Sequence, residues 1–400
     1  MHSDSPGIRS TASTLPPFGI STWCGIIALF GCTILVPRIG PNGAFVDPVL
    51  AAILFFGFRS LKRQPYSPVR VLFRKTVPWL WLIALGTIVS LFGVGFPGWA
   101  LRQIVVGVFS FSLFFAAYQL FIDERAHLAA FRTALVVAIL FVVATLAIDG
   151  DLSVRQHGTF YHPNYAAHFL ASAVLVTWPR IPTAREKALV VLAGVGMLFT
   201  ASFGGLLMLV AAGGYQLVHN VRTRPALTAL LLALAVASTW FVVVQGWRLQ
   251  LELAPTRALS TTRFDRSQSG RLDTWQQVLS SVRTEPLGVG PGGVQGTDIT
   301  AGGPEAHNAY IAYLVERGPI ALLGLLGLGV ALWRRGEPGG ATRRLVVAFA
   351  ASNAVRETLH YRHMWLILAL AFAWEVADRL GVDPPTTPSA NARHRLMSQR

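Results

Sequence analysis

About twelve apolar stretches, most of them near the roughly 20 residues that cross a bilayer core of about 30 Å as a helix, restrict the fold of this chain more tightly than anything else in it. They run over 19–36, 47–59, 77–95, 100–121, 128–148, 164–179, 188–202, 203–219, 226–245, 309–333, 342–356 and 362–378. The expected fold is all-α: a polytopic integral membrane protein of about 12 transmembrane helices. Charge is sparse to match. Of 400 residues 53% are hydrophobic and 13% charged, whereas roughly a quarter are charged in soluble domains.

The net charge of +15, from 34 Lys and Arg against 19 Asp and Glu, would suggest nucleic acid in a soluble protein. Here the basic residues sit in short loops between apolar runs, so they report topology and no nucleic-acid partner is expected. Arg59, Lys62, Arg63, Arg70, Arg74 and Lys75 follow the second run, and Arg334, Arg335, Arg343 and Arg344 follow the tenth. Arg180, Arg185 and Lys187 after the sixth, and Arg222 and Arg224 after the eighth, fall on the same side. That side reads as cytoplasmic, with both termini on it. A polar tail over 1–18 without the marks of a cleaved signal peptide, one transmembrane domain over 19–378 and a disordered cytoplasmic tail over 379–400 complete the expected organisation. Cys24 and Cys32 lie in one helix about 12 Å apart, too far for a disulfide, and read as inert core thiols.

The loops left for the outer face are the short one from Gly93 to Trp99, a polar one from Asp149 to Pro163, a turn near Ser202 and a long one over 245–308 between runs nine and ten. Long loops escape the positive-inside rule, so the six arginines of the last do not move it. A loop of that length is seldom idle, which makes it the leading site candidate. Within it Leu272, Trp275, Leu279 and Val282 recur at helical spacing and predict an amphipathic helix. Arg271 stands in its first turn, where a guanidinium beside free N–H groups suits a phosphate or pyrophosphate, or equally a solvated or lipid-snorkelling arginine. The segment 286–293 holds a formal G-x-G-x-x-G at Gly288, Gly290 and Gly293. It lacks the flanking strand and helix of a dinucleotide site, and reads as a tight turn that lets backbone approach neighbouring helices.

His307 follows at the outer mouth of run ten, with Asn308 and Tyr310 beside it. An imidazole at a wet interface can take and return a proton near neutral pH, the task of a base acting on a sugar hydroxyl; an interfacial polar residue without a role is the plain alternative. Glu316 and Arg317 lie on nearly the opposite face and read as a polar pair turned into the bundle, unless Gly318 and Pro319 distort the helix. A second polar cluster runs from Arg155 and His157 through His162 to Asn164 and Tyr165. The spacing of His157, His162 and His168 matches no common zinc pattern, so no metal and no cofactor is expected. Pro163 instead starts a helix, with His162 or Asn164 meeting its terminal N–H groups. Arg155 offers a second cation. Near the end, Arg356, Glu357, His360, Arg362 and His363 read as an aqueous rim or as part of an anionic-ligand pocket.

Five segments in this order resemble the O-antigen ligase and O-antigen polymerase family of bacterial envelope glycosyltransferases: 158–164 (GTFYHPN), 269–275 (SGRLDTW), 286–292 (PLGVGPG), 307–310 (HNAY) and 316–320 (ERGPI). The resemblance implies a multi-pass protein of the bacterial inner membrane with its active site facing the periplasm. It implies metal-independent transfer of a glycan from an undecaprenyl-pyrophosphate carrier to an acceptor hydroxyl, such as a sugar of the lipid A core. On that likeness His307 is the base and Arg271 a pyrophosphate ligand, with Arg155 beside it and His157, Asn164, Trp275, Asn308, Tyr310 and Arg362 in support. The implied partners are the lipid-linked donor, a glycan or lipid A core acceptor and the membrane lipids. Polymerisation of a glycan, or its transfer to protein, fits the same motifs, and solute transport is the reading from another class. One departure stands out: after run seven the family usually shows Ser-Arg, the arginine implicated in pyrophosphate binding, where this chain has Ser202 and Phe203.

Overall fold

A computed structural model describes residues 17–34, 46–92, 98–148, 157–160, 162–177, 184–200, 202–221, 274–296 and 307–380. The expected tails before residue 17 and after residue 380, the ninth apolar run at 226–245 and most of the long loop lie outside the described residues, as do Arg155 and Arg271. Every regular element among the described residues is helical. The helices are α1 Ile20–Gly31, α2 Asp47–Arg63, α3 Pro68–Leu91, α4 Gly98–Asp123, α5 Leu128–Ile148, α6 Pro163–Thr177, α7 Ala184–Phe199 and α8 Phe203–Val221. After these come α9 over 274–284, the single turn α10 Gly293–Gly296, and α11 Ala309–Arg335, α12 Ala341–Asn353 and α13 Arg362–Arg379. Among the described residues four stretches are long and apolar enough to cross a membrane by length and composition: Pro68–Leu91, Gly98–Asp123, Arg125–Ile148 and Ala309–Arg335.

Eleven of the expected runs correspond to described helices, with shifted ends. The third begins at Pro68, nine residues before its apolar run, because Ser67 caps it by accepting from Val69 N and Pro68 fits the first turn. Arg70, Arg74 and Lys75 are therefore helical. Arg70 turns back on α2 and donates to the carbonyl oxygens of Leu61 and Lys62, groups that the end of a helix leaves unpaired.

Packing follows from small residues and from all-round apolarity. α3 and α11 run antiparallel in close contact, since a Cβ on Gly86 would lie 2.5 Å from Ala321 N and one on Gly324 would lie 2.7 Å from Trp79 O. Only glycine lets backbones approach so far. Gly57 on α2 likewise faces the Ala116 backbone of α4. At the centre lie α6 and α13, where burial is nearly continuous from Ala166 to Thr177 and from His363 to Glu375. A helix apolar on every side belongs inside a bundle.

Polar contacts fix the direction of the helices and gather them at two ends. At one end Ser67 bonds Gln119, Ser60 and Gln64 bond Asp123, Ser21 and Thr22 bond Glu124, and Glu375 accepts from Glu337 N and Thr342 N. Arg59, Lys62, Arg63, Arg334 and Arg335 lie at this basic end. At the other, Thr159 donates to Thr33 O, and Arg362 pairs with Asp47 at 2.8 Å. His157, His162, His307 and His360 share that second end with them.

Candidate active site

Three successive segments meet at the histidine-bearing end through a small apolar cluster of Val278, Val289, Val294, Ala312 and Val315, with Val282 and Ile311 packed against it. Val278 and Val282 are four apart and so share one face of α9, which seats that helix on the first turns of α11. The expected amphipathic helix is present, but its buried stripe differs. Leu279 is 38% exposed while Val278 is fully buried, so the inward face is rotated by one residue.

The glycine-rich segment is the mortar between α9 and α11. Gly288, Gly290 and Gly292 all have positive φ, at 103°, 83° and 76°, where a side chain is strained. Val289 N donates to Val315 O at 2.9 Å, and the Glu316 carboxylate accepts from the backbone N–H groups of Gly292 and Val294. A Cβ on Gly288 would lie 2.7 Å from Glu316 O, and one on Gly318 would lie 2.6 Å from Leu287 O. The two glycines therefore interlock the loop with a break in α11, where Gly318 has φ 75° and Pro319 follows. Gly292 and Gly293 rest against Trp99 of α4. The turn expected from the sequence is what the structure has, flanked among the described residues by the helices α9 and α10.

Glu316 and Arg317 both turn into the bundle, each 8% exposed, though to different partners. Arg317 donates to Thr87 Oγ1 at 3.3 Å and lies over the Tyr313 ring.

Asn308 opens α11 as its N-cap, its side chain accepting from Tyr310 N and Ile311 N. His307, immediately before it, has φ 48° and is the one non-glycine residue with positive φ among the described residues. Histidine tolerates this region better than most side chains. Tyr310 reaches across to α12, donating its hydroxyl to Ala350 O at 2.8 Å. It also heads an apolar groove of about 390 Å³ between α11, α12 and α13 that runs towards Trp333 at the basic end.

The second polar group lies at the same end, over the centre of the bundle. His162 Nδ1 accepts from Asn164 N at 3.1 Å and so starts α6 ahead of Pro163, while Asn164 itself is half-buried on the first turn. Tyr165 stacks on Tyr361 at 4.0 Å and shares a 2.8 Å hydrogen bond with His360 Nε2. Arg356 Nε donates to the Tyr361 hydroxyl. Burial, with the charges of Arg356, Arg362 and Arg102, pushes His360 down to about 4, so it is neutral near pH 7.

Two expectations for this group change. His363 is 3% exposed and packs on Phe160 and Phe169, so it belongs to the core and not to an aqueous rim. Arg362 is engaged by Asp47 instead of standing open to a ligand. His157 is exposed on the loop, and Trp275 is half-buried at the start of α9. The three histidines weighed as metal ligands do not form a site; among the described residues no group of three His, Cys, Asp or Glu side chains is placed to hold a metal ion.

Sequence reasoning passed over Arg102 and Asp47. The signal for Arg102 was present: it is the single charged residue between Gly98 and Ile122, and a lone charge in an apolar helix marks a polar environment. Phe203, where the resemblance expects arginine, opens α8 at this end. Gly204 beside it faces His168 and Gly205 faces Ala167. The position is therefore on the correct side of the bundle but carries a phenyl ring.

Comparison with curated proteins gives no match. Residues 188–326 match the family model described as O-antigen ligase, a stretch that includes α9, the glycine interlock and His307, and four of the five segments that carry the resemblance. That central part of the chain is similar to the O-antigen ligase family.

Proposed function

We infer that this protein transfers a glycan from an undecaprenyl-pyrophosphate carrier to an acceptor hydroxyl at the periplasmic face of the bacterial inner membrane. The family implies activity of the O-antigen ligase or polymerase type. The observation that supports the finer reading is the packing of α9 and the glycine segment on the first turns of α11, which His307 immediately precedes, at the end opposite the basic loops. By the positive-inside rule the basic end is cytoplasmic and takes both termini, which leaves His307 facing the periplasm.

In this reading His307 removes the proton of the acceptor hydroxyl as its oxygen attacks the anomeric carbon. The bond from that carbon to the pyrophosphate oxygen breaks, and the lipid pyrophosphate leaves with the electron pair. Cationic side chains stabilise the charge that develops. Arg271 and Arg155 are proposed for this task; of the described cations near His360, Arg356 and Arg102 are not paired with Asp47 as Arg362 is, and they compensate for Phe203. The groove headed by Tyr310 takes part of the carrier's polyprenyl chain. No cofactor is called for. Asn308 supports the site by fixing the turn that follows His307.

The test is incubation of purified protein with a lipid-pyrophosphate glycan and a panel of acceptors: lipid A core, a second glycan, and a peptide. Release of the carrier with modification of the lipid A core supports ligation, while the other two acceptors identify polymerisation or protein glycosylation. His307→Ala and Arg271→Ala should each lower transfer by at least about a hundredfold with membrane insertion intact. Near-normal transfer by both variants would remove the assignment.

A further inference from the structure

Helices α2 and α4 run parallel, crossing where Gly57 meets Ala116, and Ser60 and Gln64 reach Asp123 at their basic ends. Alongside the crossing they leave an apolar groove of about 940 Å³. Phe55 and Phe58 line it from α2 and Val105 and Val108 from α4, exposed by 59%, 43%, 55% and 61%. At 1.5 Å per residue from the crossing point, Ile104 at its far end and Lys62 at its basic end are roughly 25 Å apart along the axis. One leaflet of a bilayer has about 15 Å of hydrocarbon. A chain rooted at the basic end therefore lies in the groove along its whole length.

Arg59 and Lys62 form the mouth of this groove. Arg59 also borders a neighbouring polar cavity of about 400 Å³ that holds Arg63, Asp123 and Glu124. Those two carboxylates are already occupied, Asp123 by Ser60, Gln64 and Gln119, and Glu124 by Ser21, Thr22 and His127. Arg70 is spent on the end of α2. Arg59, Lys62 and Arg63 are exposed and make no ion pair among the described residues. Two to three cations at the membrane surface, at the foot of a groove shaped for a hydrocarbon chain, complement one kind of molecule: a diacyl lipid with a negatively charged head group.

We propose that the groove between α2 and α4 is a binding site for an anionic phospholipid, whose phosphate sits between Arg59 and Lys62 and one of whose acyl chains lies along Phe55, Phe58, Val105 and Val108. The site is separate from the glycan-transfer chemistry and stands whether or not that reading holds. It anchors the basic end of α2 at the depth of the lipid head groups, and it makes a lipid part of the α2–α4 wall.

The test is native mass spectrometry of the purified full-length protein, exchanged into detergent with equal amounts of phosphatidylglycerol, phosphatidylethanolamine and phosphatidylcholine. The wild type should retain one phosphatidylglycerol preferentially. The double variant Arg59→Gln/Lys62→Gln should bind it about thirtyfold more weakly, since each cation near an anionic surface contributes about 1 kcal/mol and 1.4 kcal/mol is tenfold. Val108→Trp, which fills the groove and leaves both charges in place, should lose the lipid as well. It also serves where the charge variant fails to fold, as judged by helical content and gel filtration. Equal retention of the three lipids by the wild type, or wild-type retention of phosphatidylglycerol by a folded variant, would overturn the proposal.

Discussion

His360 shows how one residue's surroundings set its chemistry. It belongs to the polar group over the bundle centre, hydrogen-bonded to Tyr165, and three guanidinium groups bear on it. Burial and those charges disfavour its protonated form, so its value falls from 6.5 in an open chain to about 4 in the fold. Between those two values the unfolded chain binds more protons than the folded one. Stability is thus complete above about pH 6.5 and is lost as pH falls towards 4. Thermal unfolding in detergent should show the melting temperature dropping across that window, and His360→Gln should shrink the drop; an unchanged pH profile in the variant would show that His360 is not its source. Gly318 makes the opposite point, because its role is purely spatial. Any Cβ there would meet the Leu287 carbonyl, and a φ of 75° is one that other residues rarely adopt.

Among the elements, α9 decides whether the site exists as a unit. It is held to α11 by few contacts, of which Val278 is the most buried. A carboxylate at that position has no partner in the valine cluster, and undocking the helix costs less than burying the charge. Val278→Asp should therefore leave the helical content of the bundle unchanged, speed proteolysis within 274–296, and lower transfer by at least about tenfold. Retained activity with the same proteolytic pattern as wild type would mean that α9 does not position the site. The existence of this helix was legible from Leu272, Trp275, Leu279 and Val282, yet its inward face was not. Periodicity gives a stripe about a third of a turn wide, and which edge of that stripe goes inward depends on the partner surface supplied by Ala312 and Val315. The start of α3 was hidden for a related reason. Hydropathy marks where lipid begins, whereas Ser67 and Pro68 mark where helical hydrogen bonding begins, and these differ by nine residues.

For the whole molecule, apolar run length carried most of the helical architecture, because lipid imposes it on any spanning chain. It could not reveal Asp47 with Arg362, or Tyr165 with His360, since these pairs are separated by 315 and 195 residues and only the folded bundle brings them together. The proposed orientation can be read directly. With Cys24 and Cys32 replaced by serine, Tyr66→Cys at the basic end should react with an impermeant maleimide only after the inner membrane is opened. His157→Cys should react in intact spheroplasts, and the reverse pattern would invert the topology. The break in α11 has a mechanical consequence for a protein so arranged. Nine residues, from Ala309 to Arg317, are joined to the remaining rod by a single swivel and clasped by the turn at Gly288. A large, dragging polymer tugging at the water-exposed lip can tilt that short stub, and the rod's register with α3 in the bilayer is spared the torque.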